Sequence, residues 1–250
     1  MSGPDIVLVF LGGLAAGTIN VIVGSGTLIT FPTLLAFGYA PVTANVTNTM
    51  GLVPGNITSM IGYRPEMAGQ RDRAFRLGLA SIIGATGGAI LLLVLPASAF
   101  RAVVPAFIGL GVFAILTGPY VSKWLAKRNL VASEASGGLW TFLGVVLCGV
   151  YGGYFGAGQG LLFIAVLGIA LADTIHRLNA LRNMLAGLAN TIAAVVFIFS
   201  AHIAWAAAGL LAIGSIAGGW VGVHIGRRLP PMFYRAVIAA VGIVAFVKLL

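Results

Sequence analysis

Apolar stretches recur from Ile6 to Leu250 with only brief polar interruptions, and several approach the roughly 20 residues a helix needs to cross a bilayer's hydrocarbon core. Only 8% of the 250 residues are charged, whereas a soluble domain carries about 25%. So few charges cannot cover a water-facing surface, and the expected class is an all-α polytopic membrane protein. The residues Met1-Ser2-Gly3-Pro4-Asp5 lack the basic region of a cleavable signal peptide, so the first hydrophobic segment is expected to stay.

The pattern predicts helices near 5–22, 41–62, 75–96, 99–121, 138–155, 174–200, 203–226 and 232–250. Two shorter apolar stretches, near 27–38 and 160–172, are too short to span comfortably at 1.5 Å per residue and read as half-helices or re-entrant pieces. The two groups resemble each other. Gly24-Ser25-Gly26-Thr27-Leu28 lies opposite Gly158-Gln159-Gly160-Leu161-Leu162, and Asn45 lies opposite Asn179 at the same offset. Farther on, Gly87-Gly88 answers Gly218-Gly219, and Phe100-Arg101 answers Tyr234-Arg235. The expected plan is a duplication: an N-terminal membrane repeat over 1–122, a cytoplasmic linker over 123–137 and a C-terminal membrane repeat over 138–250. Each repeat would hold about four transmembrane helices plus one short half-helix or re-entrant segment.

The formal charge of +9 would suggest nucleic acid in a soluble protein. Here the basic residues concentrate in short loops: Arg64, Arg71, Arg73 and Arg76; Lys123, Lys127 and Arg128; Arg177, Arg227 and Arg228. An odd number of crossings per half puts all ten on the cytoplasmic side, so the positive-inside rule favours inverted repeats with extracytoplasmic termini in a cell inner membrane. The partners implied are a lipid bilayer and a small anion, with no nucleic acid; a homo-oligomer is compatible with the sequence.

Inverted repeats place a transport site where broken helices meet near the midplane. Two such breaks exist, Gly24-Ser25-Gly26 and Gly156-Ala157-Gly158-Gln159-Gly160, where glycine lets backbone turn sharply and approach a ligand. The following half-helix N-termini would favour an anion. Downstream, Asn45, Asn48 and Thr49 share one helix face, and Asn179, Arg182 and Asn183 form the matching face. Arg182 sits about two turns into its helix, so it either snorkels to the interface or meets an anion. Asn20 and Gln159 complete the candidate ligand set. The acidic residues Asp5, Glu66, Asp72, Glu134 and Asp173 all fall at or beyond predicted helix ends, and none lies near Arg182 in sequence. His176, His202 and His224 are too scattered for a metal site, the single Cys148 reads as a buried packing residue, and no metal or cofactor is expected.

The chain resembles the TauE/SafE family, also called the toluene sulfonate uptake permease family. The residues that carry the resemblance are Gly17-Thr18-Ile19-Asn20, Gly24 through Pro32, Ala44-Asn45-Val46-Thr47-Asn48 and Gly62-Tyr63-Arg64 in the first half. In the second half they are Gly158-Gln159-Gly160, Arg177 through Asn183, Gly218-Gly219 and Arg227-Arg228-Leu229-Pro230. The resemblance implies a permease for sulfite, sulfonates and related sulfur-containing anions. Gln159 stands where many members have glycine, and Pro32 has no counterpart in the second half, so the half-sites are unequal.

No G-x-x-x-x-G-K-[ST] phosphate loop is present, which leaves secondary transport or facilitated diffusion. An inside-negative potential drives anions outward, so the reading is a secondary exporter and not an enzyme. The alternatives are proton-coupled uptake of a sulfonate or carboxylate, a non-transporting scaffold, and an intramembrane hydrolase using Ser25, which would need a histidine beside it.

Overall fold

The computed structural model describes residues 3–128 and 138–225. The expected helix near 232–250, most of the linker, and Arg227, Arg228, Tyr234 and Arg235 lie outside the described residues. Among the described residues all regular structure is helical: α1 (Gly3–Ile22), α2 (Thr27–Ala36), α3 (Pro41–Gly62), a 3-10 turn (Pro65–Met67), α4 (Arg71–Val94), α5 (Ala97–Arg128), α6 (Leu139–Tyr154), α7 (Gln159–Ala170), α8 (Ile175–Ser200) and α9 (Trp205–Ile225). Helix α5 continues to Arg128, past residue 121 where the sequence pattern is expected to end it; the run Ser122-Lys123-Trp124-Leu125-Ala126-Lys127 contains no helix breaker.

Five helices, α1, α4, α5, α8 and α9, are long and apolar enough to span a bilayer, and the chain is a multi-pass membrane protein. Helix α3 has the length, at 22 residues, but carries a buried polar series that includes Asn45, Asn48, Asn56 and Ser59. A helix of that kind survives in a membrane only with its polar face turned inward. The outer surface is instead covered by exposed side chains such as Phe75, Phe113, Leu147 and Phe199, as expected where the surroundings are lipid. Elements α2 and α7, of 10 and 12 residues, have the half-length expected of them.

Lipid tails are as apolar as leucine, so helices in a membrane associate through close packing of small residues. Gly13 and Gly17 of α1 lie against Leu211 and Ser215 of α9, while Gly214 and Gly218 of α9 lie against Phe10 and Leu14 of α1. Residue numbers rise together along the contact, so α1 and α9 run parallel. Helices α4 and α6 repeat the arrangement, with Gly84 and Gly88 on Val146 and Val150, and Gly149 and Gly153 on Ser81 and Ala85. A Cβ at Gly13 would stand 2.7 Å from the Leu211 carbonyl oxygen, and one at Gly149 2.7 Å from that of Ser81. Each group of helices thus lends its fourth member to the first helix of the other.

Two serines pin the central helices. The Ser215 hydroxyl donates to the Gly51 carbonyl on α3 at 2.8 Å, and the Ser81 hydroxyl donates to the Leu185 carbonyl on α8 at 2.8 Å. Ser81 to Ser215 and Gly51 to Leu185 each span 134 positions, the same offset that separates Gly24 from Gly158. Ser215 Oγ also accepts from Gly55 N at 3.2 Å, so it inserts into the α3 ladder beside Pro54. Helices α3 and α8 run in opposite directions: Tyr63 packs with Ala180, Gly187 lies against Asn56 and Met60, and Thr47 accepts from Ala204 N at 3.0 Å.

The apolar core divides in two. One cluster surrounds α2 through Leu28, Phe31 and Leu34, joined by Phe100 and Phe155. The other surrounds α7 through Phe163, Leu167 and Leu171, joined by Leu77, Leu181 and Cys148. Cys148 is buried and free, packed as the sequence suggests.

At the end of the molecule where α4, α6 and α8 begin, Asp173 accepts from Arg73 at 2.8 Å and from Arg177 at 2.9 Å. Gln70, nearly fully buried, donates to the carbonyls of Glu66 and Arg177, and Arg177 Nη1 donates to the Ala68 carbonyl. The 63–70 loop and the α7–α8 loop are therefore clamped together. Burial alone would raise the Asp173 pKa, but hydrogen bonds from Arg73, Thr174 N–H and Arg177 outweigh it and hold the carboxyl below its ordinary value of 3.8. Because the folded value is depressed, its stabilisation is complete above pH 3.8 and is lost as pH falls through the lower folded value. Asp173→Asn is expected to destabilise the protein at pH 7 by on the order of 1–3 kcal/mol. Thermal unfolding in detergent at pH 7 and at pH 3 checks this: the gap between mutant and wild type should narrow in acid, and a gap independent of pH would exclude the carboxylate as its source.

Candidate anion site at the crossing of two broken helices

The chain reverses at both breaks in the left-handed region, with φ of +80° at Gly24, +77° at Gly156 and +75° at Gly158. The two tips touch backbone to backbone. Gly160 N–H donates to the Gly24 carbonyl at 3.2 Å, and a Cβ on either glycine would lie 2.6 Å from the other's Cα. Gly158 itself faces Gly111 of α5 rather than the opposite tip.

Arg182 reaches this crossing from α8. It is 2% exposed, so the guanidinium turns into the protein and does not snorkel. Nη2 donates to the Val21 carbonyl and to Asn183 Oδ1, both at 2.8 Å. Nη1 lies beside the two tips, 2.8 Å from where a Gly24 Cβ would stand. Nε is buried with no partner. Among the described residues no carboxylate pairs with Arg182, since both ion pairs involve Asp173. A desolvated guanidinium without a counter-charge is unfavourable by several kcal/mol, on the order of the effective burial penalty for an ion.

The candidate amides surround the same region. Asn20 Oδ1 accepts from Gly26 N at 2.9 Å and so caps the start of α2. Asn48 Nδ2 donates to Thr27 Oγ1 at 3.1 Å, and its Oδ1 accepts from the Thr30 hydroxyl. Asn45 Nδ2 donates to the Tyr154 carbonyl, the last residue of α6, at 2.9 Å. The faces of α3 and α8 are thus used reciprocally, with Asn45 holding the end of α6 while Arg182 and Asn183 hold the end of α1. Ser25 is 1% exposed and its hydroxyl has no partner. Gln159 Nε2 donates to Asn190 Oδ1 at 3.1 Å, leaving Oε1 without a partner. Two candidates stand apart: the Thr49 hydroxyl turns back to the Asn45 carbonyl of its own helix, and Asn179 is only half-buried, a turn closer to the start of α8. The three histidines are exposed at helix ends, whereas Ser25 is buried, so none of them is placed as a base for that hydroxyl.

Asn56 and Asn190 are absent from the sequence-based candidate set, yet both belong to this layer. Asn20 Nδ2 donates to Asn56 Oδ1 at 2.9 Å, and Gln159 Nε2 donates to Asn190 Oδ1. They too are separated by 134 positions, which is the signal that finds them once the offset is carried past the residues next to the breaks.

A family model described as "Sulfite exporter TauE/SafE" matches residues 9–249. Among individual relatives, the Escherichia coli K12 protein named "Probable membrane transporter protein YfcA" is 27% identical over 97% of this chain and 88% of its own length. A Sinorhizobium protein named "Probable membrane transporter protein ORF9" is 24% identical over 98% of this chain and 92% of its own. A Haemophilus influenzae "Probable membrane transporter protein" is 26% identical over 89% and 86%. No solved structure matches. With the family model matching almost end to end, a membrane-embedded helical fold and full-length relatives of transporter type, the chain belongs to the TauE/SafE family of membrane transporters.

Proposed function

We propose that this protein exports a small sulfur-containing anion, such as sulfite or an organosulfonate, across the cell inner membrane, binding it where two inverted repeats meet. The observation that carries the reading is the buried Arg182 guanidinium, set at the crossing of the two glycine breaks with one N–H unmet and no carboxylate on it. An anion there supplies the missing charge. The reciprocal helix pairing and the two serine bonds related by one offset support the inverted repeat. The clustering of Arg64, Arg71, Arg73, Arg76 and Arg177 near the clamped loops supports placing that end in the cytoplasm.

Direction follows from charge. A potential negative inside drives an anion outward with about 2.3 kcal/mol per elementary charge per 100 mV, so export needs no coupled ion. In proteoliposomes, anion efflux should rise with an imposed inside-negative potential and carry current; net uptake that requires a proton gradient would reverse the assignment. In purified protein, sulfite or a small sulfonate should stabilise the fold by mass action, by about 2.7 kcal/mol at 100 times Kd, and so raise the thermal midpoint. Equal, ionic-strength-like responses to every anion tested would remove the site.

A further inference from the structure

Four buried atoms near the crossing can donate a hydrogen bond and have no acceptor: Arg182 Nε, Ser25 Oγ, Asn56 Nδ2 and Ser59 Oγ. The first two belong to the site described above. Asn56 and Ser59 lie one turn apart on α3, 6% and 3% exposed, where the helix faces Gly187 of α8.

The orientation of Asn56 is fixed by its neighbours. Gly26 N–H can only donate, so it points to Asn20 Oδ1; Asn20 must then turn Nδ2 toward Asn56, which must present Oδ1. The atom left over is the Asn56 donor. The matching dyad ends with opposite polarity: Gln159 Nε2 points to the Ala186 carbonyl and Asn190 Oδ1, and the atom left over is the acceptor Gln159 Oε1. Spare donors therefore collect on the side of the first break, where Arg182 is anchored to Val21, the residue after Asn20. Burying donors without acceptors is unfavourable, and an oxyanion meets several at once.

We propose that Asn56 and Ser59 donate to the anion held by Arg182, and that this set of four donors selects a head group with three oxygens, sulfite or a sulfonate, over a two-oxygen carboxylate or a halide. This rests on the export reading's assignment of the site. The four donors come from three elements, the first break, α3 and α8; the two oxygens of a carboxylate offer their lone pairs in one plane, whereas the three oxygens of a pyramidal sulfur head face three sides, with one of them accepting twice. Asn56 and Ser59 thereby set specificity, whereas Arg182 sets charge.

The test titrates methanesulfonate, acetate and chloride against purified wild type, Asn56→Leu, Ser59→Ala and Ser81→Ala at constant ionic strength. Ser81→Ala removes a buried hydroxyl whose hydrogen bond goes to the Leu185 carbonyl, so it matches the structural damage of Ser59→Ala without removing a spare donor. Wild type should prefer methanesulfonate. Asn56→Leu and Ser59→Ala should each weaken methanesulfonate by about tenfold or more and acetate by less than about threefold, and Ser81→Ala should leave the preference intact. Equal losses for both anions, or equal behaviour of Ser59→Ala and Ser81→Ala, overturn the proposal. Should Asn56→Leu not fold, Ser59→Ala decides it alone. If wild type binds none of the three while Arg182→Gln behaves identically, the anion reading itself fails, a different result from lost selectivity.

Discussion

Arg182→Gln is expected to reduce anion affinity by at least about 30-fold and to abolish potential-driven efflux. Truncating one partner of a buried, hydrogen-bonded charge pair costs about 2–5 kcal/mol, and each 1.4 kcal/mol is tenfold. Glutamine retains a donor for the Val21 carbonyl, so the fold should survive without the charge. Arg182→Lys separates charge from geometry. An ammonium is a point charge on a flexible stem, and it cannot serve Val21, Asn183 and the glycine tips from one planar fork. It should recover part of the affinity, still about tenfold weaker than wild type. Isothermal titration with sulfite or methanesulfonate, alongside efflux under an imposed potential, measures both variants. A transporter with unchanged affinity in Arg182→Gln would show that the guanidinium only braces Val21. The stability of anion-free protein adds a second readout: removing an uncompensated buried charge should leave the Arg182→Gln midpoint close to wild type despite the lost hydrogen bonds.

Much of this arrangement is visible before any coordinates. Apolar periodicity and length place the described helices within a few residues, apart from the C-terminal end of α5, since a bilayer permits little but helices, and the half-length of α2 and α7 follows from their 10 and 12 residues. The glycine breaks are legible because glycine adopts the positive φ found at Gly24 and Gly158 without the steric cost that other residues meet there. Less legible is what polar residues do far from the breaks. Asn56 and Asn190 look like ordinary interhelical glue in sequence, and their part in the polar layer depends on which helix faces which. The same holds for Ser81 and Ser215, whose carbonyl partners lie on helices of the opposite group. Arg182 shows the limit most clearly: sequence leaves snorkelling and burial both open, and the packing of α8 against the end of α1 decides for burial.

The contact between the two tips makes the largest stability prediction. Gly24 and Gly160 meet with no room for a methyl group on either, and the atom in the way is backbone, which cannot swing aside as a side chain would. Three alanine substitutions separate the contributions. At Gly38, φ is +83° and nothing lies within 4 Å of the added Cβ, so Gly38→Ala meets backbone strain alone, about 1 kcal/mol. Gly160 lies inside α7 and is absent from the positive-φ glycines, so Gly160→Ala meets the clash alone. Gly24→Ala meets both. The expected order of stability is wild type, then Gly38→Ala, Gly160→Ala and Gly24→Ala, with the last losing more than about 4 kcal/mol, the range reached only by severe overpacking or strain. Thermal midpoints and the yield of monodisperse protein in detergent rank them. Because the tips carry the backbone hydrogen bond that closes the crossing, Gly160→Ala that does fold should also push Arg182 off the glycines and weaken anion binding, while Gly38→Ala should not. If Gly160→Ala is as stable as Gly38→Ala and binds anion normally, the tips are not in contact and the site must be built elsewhere along α3 and α8.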